Sequence, residues 1–292
     1  AVERLVVGEL PGDEPEALGQ LPPGGLPERR ARVLPYGVVH DLRGAPNATT
    51  VATLGYTFPF LRSGFEYFLD LSLRLKDDWR LLEAGHEVAS AQLAMPMTRY
   101  PLAVDIDTLP PLDVVRVGGA IRVSGPDFTA AFGRDEATLT SLVYDGVELI
   151  RRAPRLGLWR APTDNDWGNA LPRRADVWRH ADSASTVVGA PEVTHLADGA
   201  VRVAFERRLD DAQGREAARW TVAWTVMGSG DIVVDVDFEK ASDTLPELPR
   251  VGMNLELPRA FDRIVWYGRG PHENHIDRRS AAYVGRWETD VA

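Results

Sequence analysis

From Phe65 to Leu75 the side chains alternate at every residue. Phe65, Tyr67, Leu69, Leu71, Leu73 and Leu75 fall on one side, and Glu66, Phe68, Asp70, Ser72 and Arg74 on the other. A period of two places successive side chains on opposite faces, so this run reads as a half-buried strand. A second strand is expected from Glu87 to Leu93, joined to the first through the connection Trp79–His86. The same rhythm returns later. Val201, Val203, Phe205 and Leu209 share one face, as do Trp220, Val222, Trp224 and Val226. Ile232, Val234, Val236 and Phe238 form a third set, with Asp235, Asp237 and Glu239 opposite, and Val251, Met253, Leu255 and Leu257 a fourth. Asp145-Gly146 stands between the apolar runs Thr138–Tyr144 and Val147–Ile150, and such a pair accepts the positive φ of a tight hairpin. Nothing suggests a helix longer than two turns. The fold class is therefore all-β, with antiparallel sheets packed face to face.

At roughly 150 residues per domain, 292 residues suggest two domains. Pro96, Pro101, Pro110 and Pro111 mark a linker, which divides the chain into 1–100 and 101–292. The stretches Leu10–Pro15 and Leu21–Pro27 are too rich in Pro and Gly for a helix or a central strand. Asn47-Ala48-Thr49 has the form of a glycosylation sequon and reads as chance. The Ala1 start without Met is expected of a fragment, a processed chain or one piece of a longer protein.

The net charge is −10. A duplex or an anionic membrane would be repelled on average, so neither is an expected partner. No run of about 18 apolar residues could span a bilayer. The absence of cysteine excludes disulfides, thiolate metal sites and cysteine nucleophiles, and fits a cytoplasmic location. Several chemical motifs fail on inspection. Gly268-Arg269-Gly270 has Glu273 where a dinucleotide loop needs its third Gly. Asp164-Asn165-Asp166 would need Gly and Glu, for a calcium loop, where Asn169 and Ala175 stand. His272 and His275 are three apart and follow Pro271, which does not make the zinc-protease helix. No metal ligand set is assigned.

Two segments remain. Leu158–Gly168 packs Trp159, Arg160, Asp164, Asn165, Asp166 and Trp167 into eleven residues, and Trp266–Arg279 carries Glu273, Asn274 and Arg278 after an apolar strand. A loop whose Asp and Asn satisfy backbone amides is one reading. A sugar site is the other, because a pyranose offers an apolar C–H face and a ring of hydroxyls.

Trp-Arg-Ala-Pro-Thr-Asp-Asn-Asp at 159–166 and Gly-Arg-Gly-Pro-His-Glu-Asn-His-Ile-Asp-Arg at 268–278 resemble the two signatures of the C-terminal domain of bacterial β-galactosidases, the family-two glycoside hydrolases. Glu83–Ala89 resembles the end of the immunoglobulin-like domain before it. His275 departs from the pattern, which often has Tyr there. The resemblance implies a partial immunoglobulin-like sandwich followed by a galactose-mutarotase-like antiparallel super-sandwich, truncated at its C-terminus. It implies hydrolysis of terminal β-galactosides of the lactose type by two glutamates on a barrel domain. A retaining pair needs carboxyls about 5–5.5 Å apart, and no residue of this chain matches either one. The chain alone is expected to be inactive.

The resemblance places Asp164, Asn165, Asp166, Gly168 and Asn169 near the active-site mouth, where the loop 168–175 gates the pocket with Gly168 as hinge. Trp159, Arg160, Glu273, Asn274 and Arg278 play supporting parts. It also implies Mg2+ and Na+ in the complete enzyme, with no cofactor in this chain. The implied partners are a β-galactoside, the barrel-bearing part of the enzyme and further copies in a homo-oligomer. The alternative is a non-catalytic carbohydrate-binding or subunit-interface β-sandwich module.

Overall fold

The structure is a computed structural model that describes residues 2–7, 38–39, 49, 51, 66–95 and 104–291. The stretches Leu10–Pro15 and Leu21–Pro27, Asn47 of the sequon, Phe65, Pro96 and Pro101 lie outside the described residues. The chain is almost entirely antiparallel β and divides into two compact units, residues 1–103 with 262–292, and residues 104–261.

In the first unit, β1 (Val2–Val7), β2 (Val38–Val39), β3 (Phe68–Leu75) and β4 (Glu87–Ala94) form an antiparallel sheet in the order β2-β1-β3-β4. The strand expected from Phe65 thus begins at Phe68. Its alternation is blurred: Leu69, Leu71 and Leu73 are half-buried, whereas Ser72 is buried. Partners on β4 explain why the polar side tolerates cover. The Ser72 hydroxyl donates to Glu87, and Asp70 stands opposite Gln92 in register. Burial pushes the Asp70 carboxyl above its usual range, and a hydrogen bond from Gln92 offsets part of that rise. The connection carries a Trp79–Leu82 bridge, with the Arg80 guanidinium 4.7 Å above the Trp79 ring.

The second unit opens with a five-stranded meander of β5 (Asp113–Val117), β6 (Ala120–Ser124), β7 (Phe128–Gly133), β8 (Thr138–Tyr144) and β9 (Val147–Glu148). Asp145 and Gly146 adopt φ of 47° and 79°, the left-handed pair expected of the hairpin. β10 (Arg152–Gly157) follows, then three short helices, α1 (Asp164–Gly168), α2 (Leu171–Arg174) and α3 (Ala181–Ala184). A four-stranded sheet is built by β11 (Thr186–Ala197), β12 (Ala200–Asp210), β13 (Glu216–Met227) and β14 (Ile232–Lys240), in sequence order. β15 (Gly252–Glu256) returns to pair with β10. β16 (Arg263–Gly270) and β17 (Tyr283–Asp290) pair with each other and belong to the first unit.

The core of the second unit lies between its two large sheets. Phe132 of β7 meets Phe205 of β12 at 6.4 Å and Trp224 of β13 at 6.2 Å between ring centroids. Val201, Val203, Phe205 and Leu209 are buried as their periodicity predicts, and so are Trp220, Val222, Trp224 and Val226. The third and fourth sets behave differently. Val234 and Val236 stay 39% and 37% exposed, because β14 is an edge strand of its sheet. Met253 packs on the core while Val251, Leu255 and Leu257 are exposed. The segment carrying Pro110 presses against two strand turns. A Cβ at Gly228 would lie 1.9 Å from the Pro110 carbonyl oxygen, and one at Gly199 would lie 2.7 Å from that of Leu109. Only glycine permits that approach.

Candidate functional site

The segment after β10 was expected to be a loop. It is instead a helical cap, and the reason lies in Thr163 and Asp166. Thr163 is the N-cap of α1 and Asp166 its third residue. The Thr163 hydroxyl accepts from the Asp166 N–H at 3.4 Å, while Asp166 Oδ2 accepts from the Thr163 N–H at 2.7 Å. This reciprocal box satisfies two donors that a helix start leaves open. Its signature, Thr-x-x-Asp, stands in the sequence and was not read there.

Asp166 does more than cap. Arg160 donates Nη1 to its Oδ2 at 2.5 Å and Nη2 to its Oδ1 at 3.1 Å, and the Thr163 hydroxyl donates at 3.0 Å. The residue is 7% exposed. The Arg160 hydrogen bonds, then the Thr163 N–H, hold its carboxyl down to about 2. Asp166 is therefore a fixed, ionised anchor and cannot act as a proton donor at neutral pH. Arg160 also donates Nε to the Pro249 carbonyl at 3.1 Å.

Two further side chains tie the cap to the same stretch. Trp178, fully buried, donates Nε1 to the Pro246 carbonyl at 3.2 Å. Arg174 of α2 forms a two-pronged ion pair with Glu247, so the Glu247 carboxyl sits below its ordinary range. Asn169, the C-cap of α1, accepts from the Leu171 N–H through Oδ1 at 3.0 Å, and its carbonyl accepts from Arg174 Nε at 3.2 Å. Leu171, Pro172 and Ala175 are buried, which anchors the segment 168–175 at α2. Arg174, Trp178 and Glu247 were missed by sequence reasoning. No local pattern links residues 73 positions apart.

The remaining residues fall as follows. Asp164 and Asn165 are exposed on α1. Gly168 ends α1 with a φ that is not positive, and a Cβ there would meet open space. The left-handed position is Ala170, at φ 60°. The two indoles differ. Trp159 is half-buried beneath the Arg179 guanidinium, 4.8 Å above its ring, while Trp167 is 65% exposed. Glu273, Asn274 and Arg278 lie in the other compact unit. There Arg278 donates to Glu273 at 2.6 Å, and Arg269 donates to the carbonyls of Arg279 and Ala282 at 3.1 and 2.8 Å. Among the described residues no group of three or more His, Asp or Glu side chains could hold a metal ion. Nor is any helix among them long and apolar enough to cross a membrane.

Fold and site together define an antiparallel β-sandwich module with a hydrogen-bonded helical cap. Residues 124–292 match the family described as beta galactosidase small chain, and residues 31–96 match beta-galactosidase domain 4. The chain belongs to the β-galactosidase small-chain family. It is similar to the β-galactosidase of Priestia megaterium, 34% identical over 245 residues, with 82% of this chain and 23% of the relative covered. The Halalkalibacterium halodurans β-galactosidase is 32% identical over 258 residues, covering 88% and 25%. That of Clostridium acetobutylicum is 31% identical over 234 residues, covering 80% and 25%. The chain thus spans about a quarter of the length of these relatives.

Proposed function

We propose that this chain is the C-terminal module of a β-galactosidase that hydrolyses terminal non-reducing β-D-galactose residues. The observation that carries the reading is the similarity to β-galactosidases over four-fifths or more of the chain. The two catalytic glutamates belong to a barrel domain in another part of the enzyme, and the chain alone is inactive. The partners are the β-galactoside, the barrel-bearing part and further copies in a homo-oligomer, not nucleic acid or membrane. The location is cytoplasmic. In this reading Mg2+ and Na+ belong to the complete enzyme, and this chain carries no cofactor.

In this reading the cap serves the pocket mouth without performing chemistry. The Arg160–Asp166–Thr163 anchor fixes the base of the segment 168–175. Asp164, Asn165 and Asn169 face the approaching sugar, and Gly168 sits at the junction that moves. The exposed indole of Trp167 adds an apolar face of the kind that sugar C–H groups stack on. Glu273, Asn274 and Arg278 brace the module through the Arg278–Glu273 pair.

The test is reconstitution. The chain is expressed alone and joined to a barrel-bearing β-galactosidase portion, and both are assayed on a chromogenic β-galactoside. Hydrolysis is expected only from the joined form. Activity of the isolated chain would overturn the reading, as would a joined form whose activity is indifferent to this module.

A further inference from the structure

The four-stranded sheet of the unit 104–261 has two edges, and they are built differently. β11 is interrupted. It holds Pro191 and also Gly189, at φ 70°, and its register with β12 shifts between Val188 and Glu192. Proline and a bulge are usual means by which an edge refuses a further strand. β14 has neither. Its nine residues include no Pro or Gly, and they pair with β13 from Ile232 opposite Val226 to Lys240 opposite Ala218 without a shift. Among the described residues no strand pairs with its other side.

Both faces of β14 are incomplete. On the core side, Ile232 and Phe238 pack against the core at the two ends of the row. Between them Val234 and Val236 are exposed, although Trp224 and Val222, which stand opposite them on β13, are buried. The apolar row therefore stops one strand short of cover. On the other face, Asp235, Asp237 and Glu239 follow one another about 7 Å apart, and all three are exposed. Among the described residues none of these carboxylates forms an ion pair or a side-chain hydrogen bond. Across the ladder Asp235 faces Ala223 and Asp237 faces Thr221. Glu239 faces Arg219, but that guanidinium is committed to Glu206 and Glu216.

One extended segment supplies what both rows lack. Main-chain hydrogen bonds hold an added strand, and its alternate side chains select it. Side chains opposite Val234 and Val236 must be apolar. Those opposite Asp235, Asp237 and Glu239 must be cationic, because opposite charges facing across a ladder attract. A wholly apolar segment leaves the carboxylates unmatched, and an acidic one opposes them. We propose that the outer edge of β14 docks a segment of a partner polypeptide in which apolar and basic residues alternate, paired as a fifth strand of the sheet. The proposal rests on the strand edge alone and is independent of the reaction proposed above.

The probe is a synthetic nine-residue peptide, the length of β14, with Arg and Val in alternation. The labelled peptide is titrated with the full chain and followed by fluorescence anisotropy. Saturable binding is expected, weakening as added salt screens the exposed charges. A peptide of the same composition with Arg and Val in separate blocks cannot match both rows and should bind more weakly. With the alternating peptide bound, amide hydrogen exchange should slow in β14 and not in β11. Asp235→Asn combined with Asp237→Asn should weaken binding about threefold to tenfold, the worth of two facing charge pairs. Asp235→Lys combined with Asp237→Lys should turn the preference toward a peptide that alternates Glu and Val. Both positions are exposed, and circular dichroism checks that the sheets persist in each variant. The proposal is overturned if the alternating peptide does not bind saturably, if the block peptide binds as tightly, or if the protection falls outside β14. It is equally overturned by a folded Asn variant that binds as the wild type does, or by a folded Lys variant that still prefers Arg.

Discussion

Gly168→Ala separates what the backbone permits from what the gate requires. Gly168 is the last residue of α1, its φ is not positive, and a Cβ there meets no atom within 4 Å. Alanine can therefore adopt the native conformation without strain. At such a position alanine stabilises by about 0.4–1 kcal/mol, chiefly by narrowing the unfolded ensemble. For a domain of this size that corresponds to a rise in Tm of about 1–4 °C. Calorimetry of the chain measures the shift. In the complete enzyme the same substitution stiffens the junction before Asn169, so kcat and KM on a chromogenic galactoside should change together. A fall in Tm would show that Gly168 works in a conformation closed to alanine, which the observed backbone denies. A raised Tm with unaltered kinetics and inhibitor binding would remove the gate.

Three other predictions follow from the cap and the first sheet. Thr163→Ala removes the N-cap hydroxyl of α1 and should cost about 1 kcal/mol in urea unfolding, with Thr163→Ser retaining most of it. The Asp166 carboxyl is depressed in the folded state, so its contribution to stability is fully present above its unfolded pKa and is lost as pH falls toward about 2. A carboxyl-carbon NMR titration showing its midpoint above 4 would contradict this. Asp70 has the opposite sign. Its folded pKa is raised, so ionisation works against folding as pH rises through that value. Asp70→Asn should raise Tm more at pH 7 than at pH 3, and an equal shift at both would refute the assignment.

Much of the fold was legible because strand burial writes a short local code. β12 and β13 are central strands, and every second residue expected inside is inside. The Asp145-Gly146 hairpin was legible for the same reason, since few other residue pairs tolerate its two positive φ values. β14 shows the limit. Its alternation is as clean as that of β13, but the pattern records a preference for cover and not whether a neighbour supplies it. Asp70 and Ser72 show the converse, polar residues accepted under cover because Gln92 stands opposite Asp70 and the Ser72 hydroxyl donates to Glu87. The cap was half legible. Its composition marks the segment as unusual, and the Thr163–Asp166 capping box that makes Asp164–Gly168 helical is written in the sequence as Thr-x-x-Asp. Arg174–Glu247 and Trp178–Pro246 join distant parts of the chain, and only the folded backbone brings them together.

The outer edge of β14 carries a built-in limit on growth. Among the described residues no strand pairs with it on that side, and an unpaired edge can recruit another strand, the usual beginning of sheet-to-sheet association. A second β14 approaching antiparallel about a two-fold axis through Asp237 would set Asp237 against Asp237 and Asp235 against Glu239. Each copy would then bring three negative charges onto one row, and like charges facing across a ladder repel. In that register the edge repels its own twin, whereas a strand of different composition would meet no such repulsion.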